Sequence, residues 1–352
     1  MSELTRIVFF GSDEIALPIL ETLISAPLRA HVHIEAIYSQ PDRPSGRGQK
    51  VRPNAVVRWA NDYSIPVFQP ERLGPEDVLR LQELCCDIGL VMAYGHILKP
   101  ELLAAPRLGF FNYHASLLPH YRGPAPIEAA IANNDGGAGV TLQRIVPALD
   151  EGDIVGSAVI PLDTESTRAS LREKISDACI FITQDTIPHL IAGDVLAIPQ
   201  TEKHVSYTRK ISRADAGIDF HASAKAISAR VRALAGWPGC TFPFAGMEMK
   251  IGHVEPIYDL ALPADLPPGT VVARHKGELI IATGDGFLKV HSLQRPGGRL
   301  LAARDFLAGM KIPAGTLIES REMIPLSRPT PWPRPLKKTL ETGNSIAVPL
   351  AR

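Results

Sequence analysis

In Asp87-Ile-Gly-Leu-Val-Met-Ala-Tyr94 an apolar run of strand length follows the leading aspartate, and Leu108-Gly-Phe-Phe-Asn-Tyr-His114 comes after a short interval. A strand apolar on both faces belongs inside a parallel sheet that helices cover on either side. Three earlier segments read the same way: Arg6-Ile-Val-Phe-Phe10, His33-Ile-Glu-Ala-Ile-Tyr38 and Ile65-Pro-Val-Phe68. Ile15, Leu17, Leu20 and Leu23 form a helical pattern between the first two. Residues 139–146 and 153–160 are two further strands with less helix between them, expected as an antiparallel extension. A helix is expected over 167–189, with Leu171, Ile175, Ala178, Ile182 and Leu190 inward and Gly193 as its stop. Strands alternating with helices predict a doubly wound, mostly parallel, Rossmann-like α/β sheet.

Past residue 206 the texture changes. One helix over 222–234, with Ile227, Val231 and Leu234 inward, leads to Trp237-Pro-Gly239. Short strands at 240–244, 247–253, 270–274, 278–283 and 287–293 then recur at about ten-residue spacing, which predicts an OB-like β-barrel. The expected division is 1–205, 206–325 and a Pro- and Lys/Arg-rich tail, 326–352, extended and loosely held.

The chain carries 37 Lys and Arg against 37 Asp and Glu. The balance hides a split. Residues 206–352 hold 20 basic and 12 acidic side chains, a net of +8, which leaves −8 on residues 1–205. A basic second half suits a polyanionic partner. No apolar stretch reaches the 18 or so residues of a membrane span, and the N-terminus runs straight into a strand, so neither membrane nor leader is expected. Cys85, Cys86, Cys179 and Cys240 match neither a zinc nor a disulfide spacing; they are expected as buried free thiols of a cytoplasmic protein. Phe9-Phe10-Gly11-Ser-Asp-Glu lacks the glycines of a dinucleotide fingerprint, and no phosphate-binding lysine motif occurs.

Chemistry gathers at the end of the 108–114 strand. Asn112 and His114 lie two residues apart and share a face. An amide beside an imidazole can hold a carbonyl oxygen as it gains negative charge. The longer run Asn112-Tyr-His-Ala-Ser-Leu-Leu-Pro-His-Tyr-Arg-Gly-Pro-Ala-Pro-Ile127, followed by Leu149-Asp-Glu-Gly-Asp-Ile154, closely resembles the signature of the folate-dependent formyltransferases. The resemblance implies that Asn112, His114 and Asp150 are catalytic and that 10-formyltetrahydrofolate is the co-substrate, with no metal. It implies that Ser116, Leu117, Leu118 and Pro119 line the folate site. The backbone at Met92, Tyr94, Gly95 and Ile97 would meet the pterin. His96 and His120 are expected as surface histidines, and Asp153 as a residue that shapes its loop.

A second stretch bears on the acceptor. Gln40-Pro-Asp-Arg-Pro-Ser-Gly-Arg-Gly-Gln-Lys50 carries Arg43, Arg47 and Lys50, with Arg52 beyond, against Asp42 alone. A basic loop beside an active site suits an incoming phosphate backbone. It resembles the loop of those family members that formylate initiator methionyl-tRNA, as the second half resembles their barrel through Trp237-Pro, Pro268-Gly-Thr270 and Ala282-Thr-Gly-Asp-Gly-Phe287. The expected partners are methionyl-tRNA and folate, and the expected state is a monomer. An amino-sugar nucleotide as acceptor, water as in formyltetrahydrofolate hydrolases, and a non-catalytic RNA-binding protein are the alternatives. Two departures from the family pattern stand out: Asn134 within Asn133-Asn-Asp-Gly136, where glycine is usual, and Ala148 before Leu149-Asp.

Overall fold

The computed structural model describes residues 4–45, 50–258, 262, 265–272 and 277–332. The first half is one seven-stranded sheet. Its strands are β1 (Thr5–Gly11), β2 (Val32–Tyr38), β5 (Val67–Phe68), β6 (Ile88–Met92), β7 (Gly109–His114), β8 (Gly137–Arg144) and β9 (Ile154–Pro161), and a small separate hairpin is made by β3 (Arg43–Ser45) and β4 (Lys50–Arg52). The order is β5-β2-β1-β6-β7-β8-β9, parallel as far as β7 and antiparallel at β8 and β9. The parallel core and its antiparallel extension both follow the sequence reading.

Alternation along each strand feeds two cores. Ile7, Phe9, Ile88, Leu90, Phe111 and Tyr113 face α1 (Leu17–Ile24), α5 (Pro126–Ala132) and α6 (Arg168–Ala192). Val8, Phe10, Val91 and Phe110 face the opposite layer, with Leu81 of α3 (Pro75–Glu83) and Leu102 of α4 (Pro100–Leu103). The remaining helix, α2 (Ala55–Asp62), brings Val56, Trp59 and Ala60 to the first core. Burying one such Phe or Leu contributes about 1.5–3 kcal/mol, so the alternation itself holds the layers in register. In α6 the Thr167 hydroxyl accepts from the Ser170 N–H at the start, and Gly193 ends the helix in the left-handed region at φ 75°. Cys179, not Ala178, takes the deeply buried position on its inner face.

In the second half α7 (Ala224–Ala233) precedes two antiparallel sheets. One is β11 (Cys240–Phe244), β12 (Met247–Ile251), β17 (Ser292–Gln294) and β18 (Leu301–Ala302), in that order. The other runs β13 (Val254–Ile257), β16 (Phe287–Val290), β15 (Leu279–Ala282) and β14 (Val271–Val272), and α8 (Ala303–Gly309) follows β18. The expected strand over 287–293 is therefore two, one in each sheet, broken at His291, whose Nε2 pairs with Glu255 at 2.9 Å. The expected strand over 270–274 is short, and its last two residues lie outside the described residues.

The link between halves is tightly held. Asp215 is fully buried between Arg209, Arg230 and the Ser212 N–H. Burial opposes its charge, yet the bonds from Arg209 and Ser212 outweigh it and hold its carboxyl below the usual range. Here the structure corrects the expectation of a loose tail. Ser327–Arg328 forms β19 and pairs antiparallel with β10 (Tyr207–Thr208), Leu326 is buried, and the Trp332 indole donates to the Tyr207 carbonyl at 3.1 Å. A Pro-rich segment that cannot be helical can still serve as an edge strand. The Arg328 guanidinium bonds the Thr330 and Pro331 carbonyls and lies 4.4 Å from the Trp332 ring centre. Residues 333–352, with Arg334, Lys337 and Lys338, lie outside the described residues.

Candidate active site

The carboxyl ends of β2, β1, β6 and β7 lie along one edge of the sheet, where open α/β folds bind ligands. On β7, Phe111 and Tyr113 go into the first core, so Asn112 and His114 face the other way. The His114 Nε2 lies 2.9 Å from the Tyr121 carbonyl oxygen, which can only accept, so Nε2 carries a proton. That fixes the ring with Nδ1 toward Asp150, at 3.8 Å from Oδ2. Among the described residues no hydrogen bond engages the half-buried Asn112 amide.

Asp150 is delivered by the loop between β8 and β9. Its backbone is left-handed, φ 52°, a conformation Asp tolerates better than most residues. Two positions later only glycine fits: a Cβ on Gly152 would stand 1.7 Å from the Arg144 carbonyl oxygen. The carboxylate accepts from the Gly123 N–H through Oδ2 at 2.8 Å and from Gln143 Nε2 through Oδ1 at 3.0 Å. Gln143 stands opposite Asn112 in the β7–β8 ladder, which ties the Asp150 loop to the strand that carries the other two side chains.

The turn after β7 is built as a rigid wall. Ser116 donates to the His120 carbonyl at 2.6 Å, and Thr141 bonds both the Ser116 carbonyl and the Leu118 N–H. The Leu118–Pro119 peptide is cis, and Leu117 packs over Gly139. On β6 and beyond, Met92 and Tyr94 bury their side chains, so only their backbone faces the edge of the sheet. Gly95 has φ 85°, and Ile97 is 87% exposed, as is much of Leu149 beside Asp150.

The basic loop belongs to the same edge. The Gln40 side chain donates to the Tyr94 carbonyl at 2.9 Å, and Gln69 holds the Gln40 carbonyl and Asp42. What read as an irregular loop is a two-stranded hairpin, β3 with β4, pairing Arg43 with Arg52 and Ser45 with Lys50. Arg43 is bonded to Glu71 at 2.5 Å, whereas Lys50 and Arg52 are exposed with no ion pair among the described residues. Arg47 lies outside the described residues.

A family model described as "Formyl transferase" matches residues 5–182, and one described as "Formyl transferase, C-terminal domain" matches residues 210–311. The methionyl-tRNA formyltransferase of Methylococcus capsulatus is 40% identical over 303 residues, covering 86% of this chain and 96% of that one. The protein of the same name from Pseudoalteromonas translucida is 36% identical over 321 residues, 90% of this chain and 98% of that one. The chain belongs to the methionyl-tRNA formyltransferase family. Among solved structures, the sugar 3N-formyl transferase WlaRD, crystallised with dTDP and 5-N-formyl-THF, aligns with a TM-score of 0.61 at 20% identity, covering 84% of this chain and 98% of that one. The N-formyltransferase from Helicobacter canadensis gives the same TM-score at 19% identity, covering 82% and 98%. These two likenesses bear on the fold alone.

Where this formyltransferase departs from the family pattern, the local structure absorbs the change. Asn134 adopts φ 53°, which Asn tolerates in place of glycine, and its Oδ1 accepts from Arg232 at 3.2 Å. Ala148 is exposed. Nearby, the Tyr121 hydroxyl donates to Asp135 at 2.6 Å; burial pushes the Asp135 carboxyl up and, with Asp135 next to it, pushes the Tyr121 phenol up too. The cysteine expectation needs one correction. Cys86, Cys179 and Cys240 are buried and burial pushes their thiols up to about 12, but Cys85 is exposed at a left-handed position after α3. Among the described residues no cluster could hold a metal and no helix is long and apolar enough to cross a membrane.

Sequence reasoning missed three participants: Arg122, Gln143 and Gln200. Gln143 was within reach, because it shares the alternation of the 139–146 strand that would bring it beside Asn112. Arg122 sits inside the recognised motif, but nothing in its surroundings announces a guanidinium that is only 3% exposed. Gln200 has no local signal at all.

Proposed function

We propose that this chain transfers the formyl group of 10-formyltetrahydrofolate to the amino group of initiator methionyl-tRNA. The observation that carries the reading is the likeness, along nearly the full length of both proteins, to relatives named methionyl-tRNA formyltransferase. The unpaired amide of Asn112, the Nδ1 of His114 and the Asp150 carboxylate supply chemistry that fits it.

In the reaction the amine nitrogen bonds to the formyl carbon, the bond from that carbon to the folate nitrogen breaks, and a proton passes from the amine to the departing nitrogen. The carbonyl oxygen gains negative charge on the way. Asn112 donates to that oxygen through its amide. His114, committed at Nε2 to Tyr121, can serve the site only through Nδ1, which gains its N–H as a proton arrives. Asp150, 3.8 Å away, steadies the imidazole once Nδ1 is protonated and takes up the amine's proton, directly or through water. Ser116, Leu117, Leu118 and Pro119 form one wall of the folate site, and the backbone of Met92, Tyr94, Gly95 and Ile97 forms the other. Arg43, Arg47, Lys50 and Arg52 meet the phosphates of the tRNA.

Residues 1–205 are then the catalytic domain and residues 206–325 an OB-like tRNA-binding domain, close to the two matched stretches. Residues 326–352 are the tail, whose first seven residues fasten onto β10. We place the protein in the cytoplasm, since its cysteines are free, and take it to act as a monomer. The test is transfer of labelled formyl from the folate to charged initiator tRNA, with an amino-sugar nucleotide as competing acceptor. Label on the sugar and none on the tRNA would overturn the reading.

A further inference from the structure

Behind Asp150 lies a chain of side chains whose hydrogen-bond direction is fixed at one end. Arg122 is almost wholly buried, and its guanidinium donates to Gln200 Oε1 through Nε at 3.1 Å and Nη2 at 2.9 Å. A guanidinium cannot accept, so the Gln200 amide has only one possible orientation, oxygen toward Arg122 and nitrogen away. That nitrogen donates to the carbonyls of Asp150 and Gly152, each at 2.8 Å, and approaches Gln143 Oε1 at 3.2 Å. Both of its hydrogens are taken by the two carbonyls, and Gln143 is oriented by the Asp150 carboxylate, which can only accept. Its oxygen faces Gln200 and its nitrogen faces Asp150 Oδ1 at 3.0 Å.

We infer that Gln200 is a positioning residue for the formyl transfer: held in one orientation by Arg122, it clamps the left-handed Asp150 turn through two carbonyls. Gln200 precedes β10 on the segment leading to the second half. Arg122 also bonds the Tyr207 hydroxyl at 3.2 Å and pairs with Glu151 at 2.9 Å. The Asp150 loop is therefore held by the connecting segment, not by its own sheet alone. A loop in a strained backbone conformation needs such outside support to stay in one place. The inference rests on the reading of Asp150 as catalytic.

Gln200→Glu keeps the shape and can still accept from Arg122, but it offers no N–H to the Asp150 and Gly152 carbonyls. A displacement near 1 Å in a reacting group can cost on the order of 10²-fold. The full-length Gln200→Glu protein is expected to lose about 10- to 100-fold in kcat for formyl transfer, with KM for folate and for tRNA within about threefold of wild type. Arg122→Lys, which still only donates, is expected to retain more activity than Arg122→Met. A Gln200→Glu protein with wild-type kcat, or a loss confined to KM, overturns the inference, and so does equal activity in the two Arg122 variants. If Gln200→Glu fails to fold, Gln200→Met carries the test, because it removes the same donor to the two carbonyls without adding a charge. Asp150→Asn, assayed alongside, separates the two levels. Wild-type turnover there would sink the catalytic reading itself, whereas an inactive Asp150→Asn with a normal Gln200→Glu would sink only the clamp.

Discussion

Charge is handled in opposite ways at the Asp150 loop and on the β3–β4 hairpin, although both lie on one edge of the same sheet. Around Asp150 the ionised groups are partnered, and the amides between Arg122 and Asp150 have their directions set. On the hairpin, Lys50 and Arg52 extend into solvent without partners among the described residues. The first arrangement fixes a geometry and is sensitive to single atoms. The second supplies a field that reaches about 10 Å at ordinary salt and tolerates imprecise placement. A reaction that brings a polyanion to one carbon requires both, so substitutions around Asp150 should act on kcat and those on the hairpin on KM.

The largest effect should come from Asp150→Asn. Asn accepts the same left-handed backbone, so the change removes the charge and one of the two accepted hydrogen bonds while leaving the turn's conformation accessible. Formyl-transfer turnover should fall by about 10²-fold or more, with the melting temperature near that of the parent. Near-normal turnover would mean that the buried side of the comparison is architecture and nothing else. Gly152→Ala breaks the same loop by shape. Its new Cβ would overlap the Arg144 carbonyl, so the loop must move, and turnover should drop by about tenfold or more alongside a stability loss of about 1–3 kcal/mol. Unfolding in denaturant and steady-state rates measured on the same protein check both parts.

How much of this was legible in advance differs between the two regions for a physical reason. The strands of the sheet announced themselves because burial on both faces leaves an unbroken apolar run, as in β6, and the α6 cap and stop residues sit where the helix begins and ends. Asn112, His114 and Asp150 could be proposed as a group because they sit in an ordered motif. The Arg122–Gln200 contact was not, since 78 residues separate the partners and a glutamine in a polar stretch looks the same whether exposed or clamped. Val254–Ile257 was missed because its proline and glutamate mask a strand, and the tail was misjudged because prolines signal only what the chain cannot form. Residues 43–52 were read as loop because three residues per strand carry too little alternation to register.

On the exposed side the effects should be smaller and should appear in KM. Arg52→Ala removes a cation with no partner among the described residues, so KM for tRNA should rise about two- to fivefold at low ionic strength while kcat and folate KM hold. The ratio to wild type should shrink as salt is raised, because one counterion-releasing contact is gone. A salt-independent loss would point to shape in place of charge.

The smallest effect, of opposite sign, tests whether partnering is what separates the hairpin's own cations. Arg43 lies in an exposed pair with Glu71, 2.5 Å apart, and its guanidinium must leave that carboxylate before it can take a phosphate. Exposed pairs are worth only about 0–1 kcal/mol, so releasing Arg43 changes little in the free protein. Glu71→Gln removes the competitor and adds one unit to the local positive field. KM for tRNA should then fall by about twofold, most clearly at low salt, with no change in melting temperature. Should KM stay put while Arg52→Ala raises it, the phosphate path runs along β4 and Arg43 is a fastening for the base of the hairpin. Should KM rise instead, the Arg43–Glu71 pair holds the hairpin at the angle the acceptor needs, and this stretch would share the geometric character of the Asp150 loop.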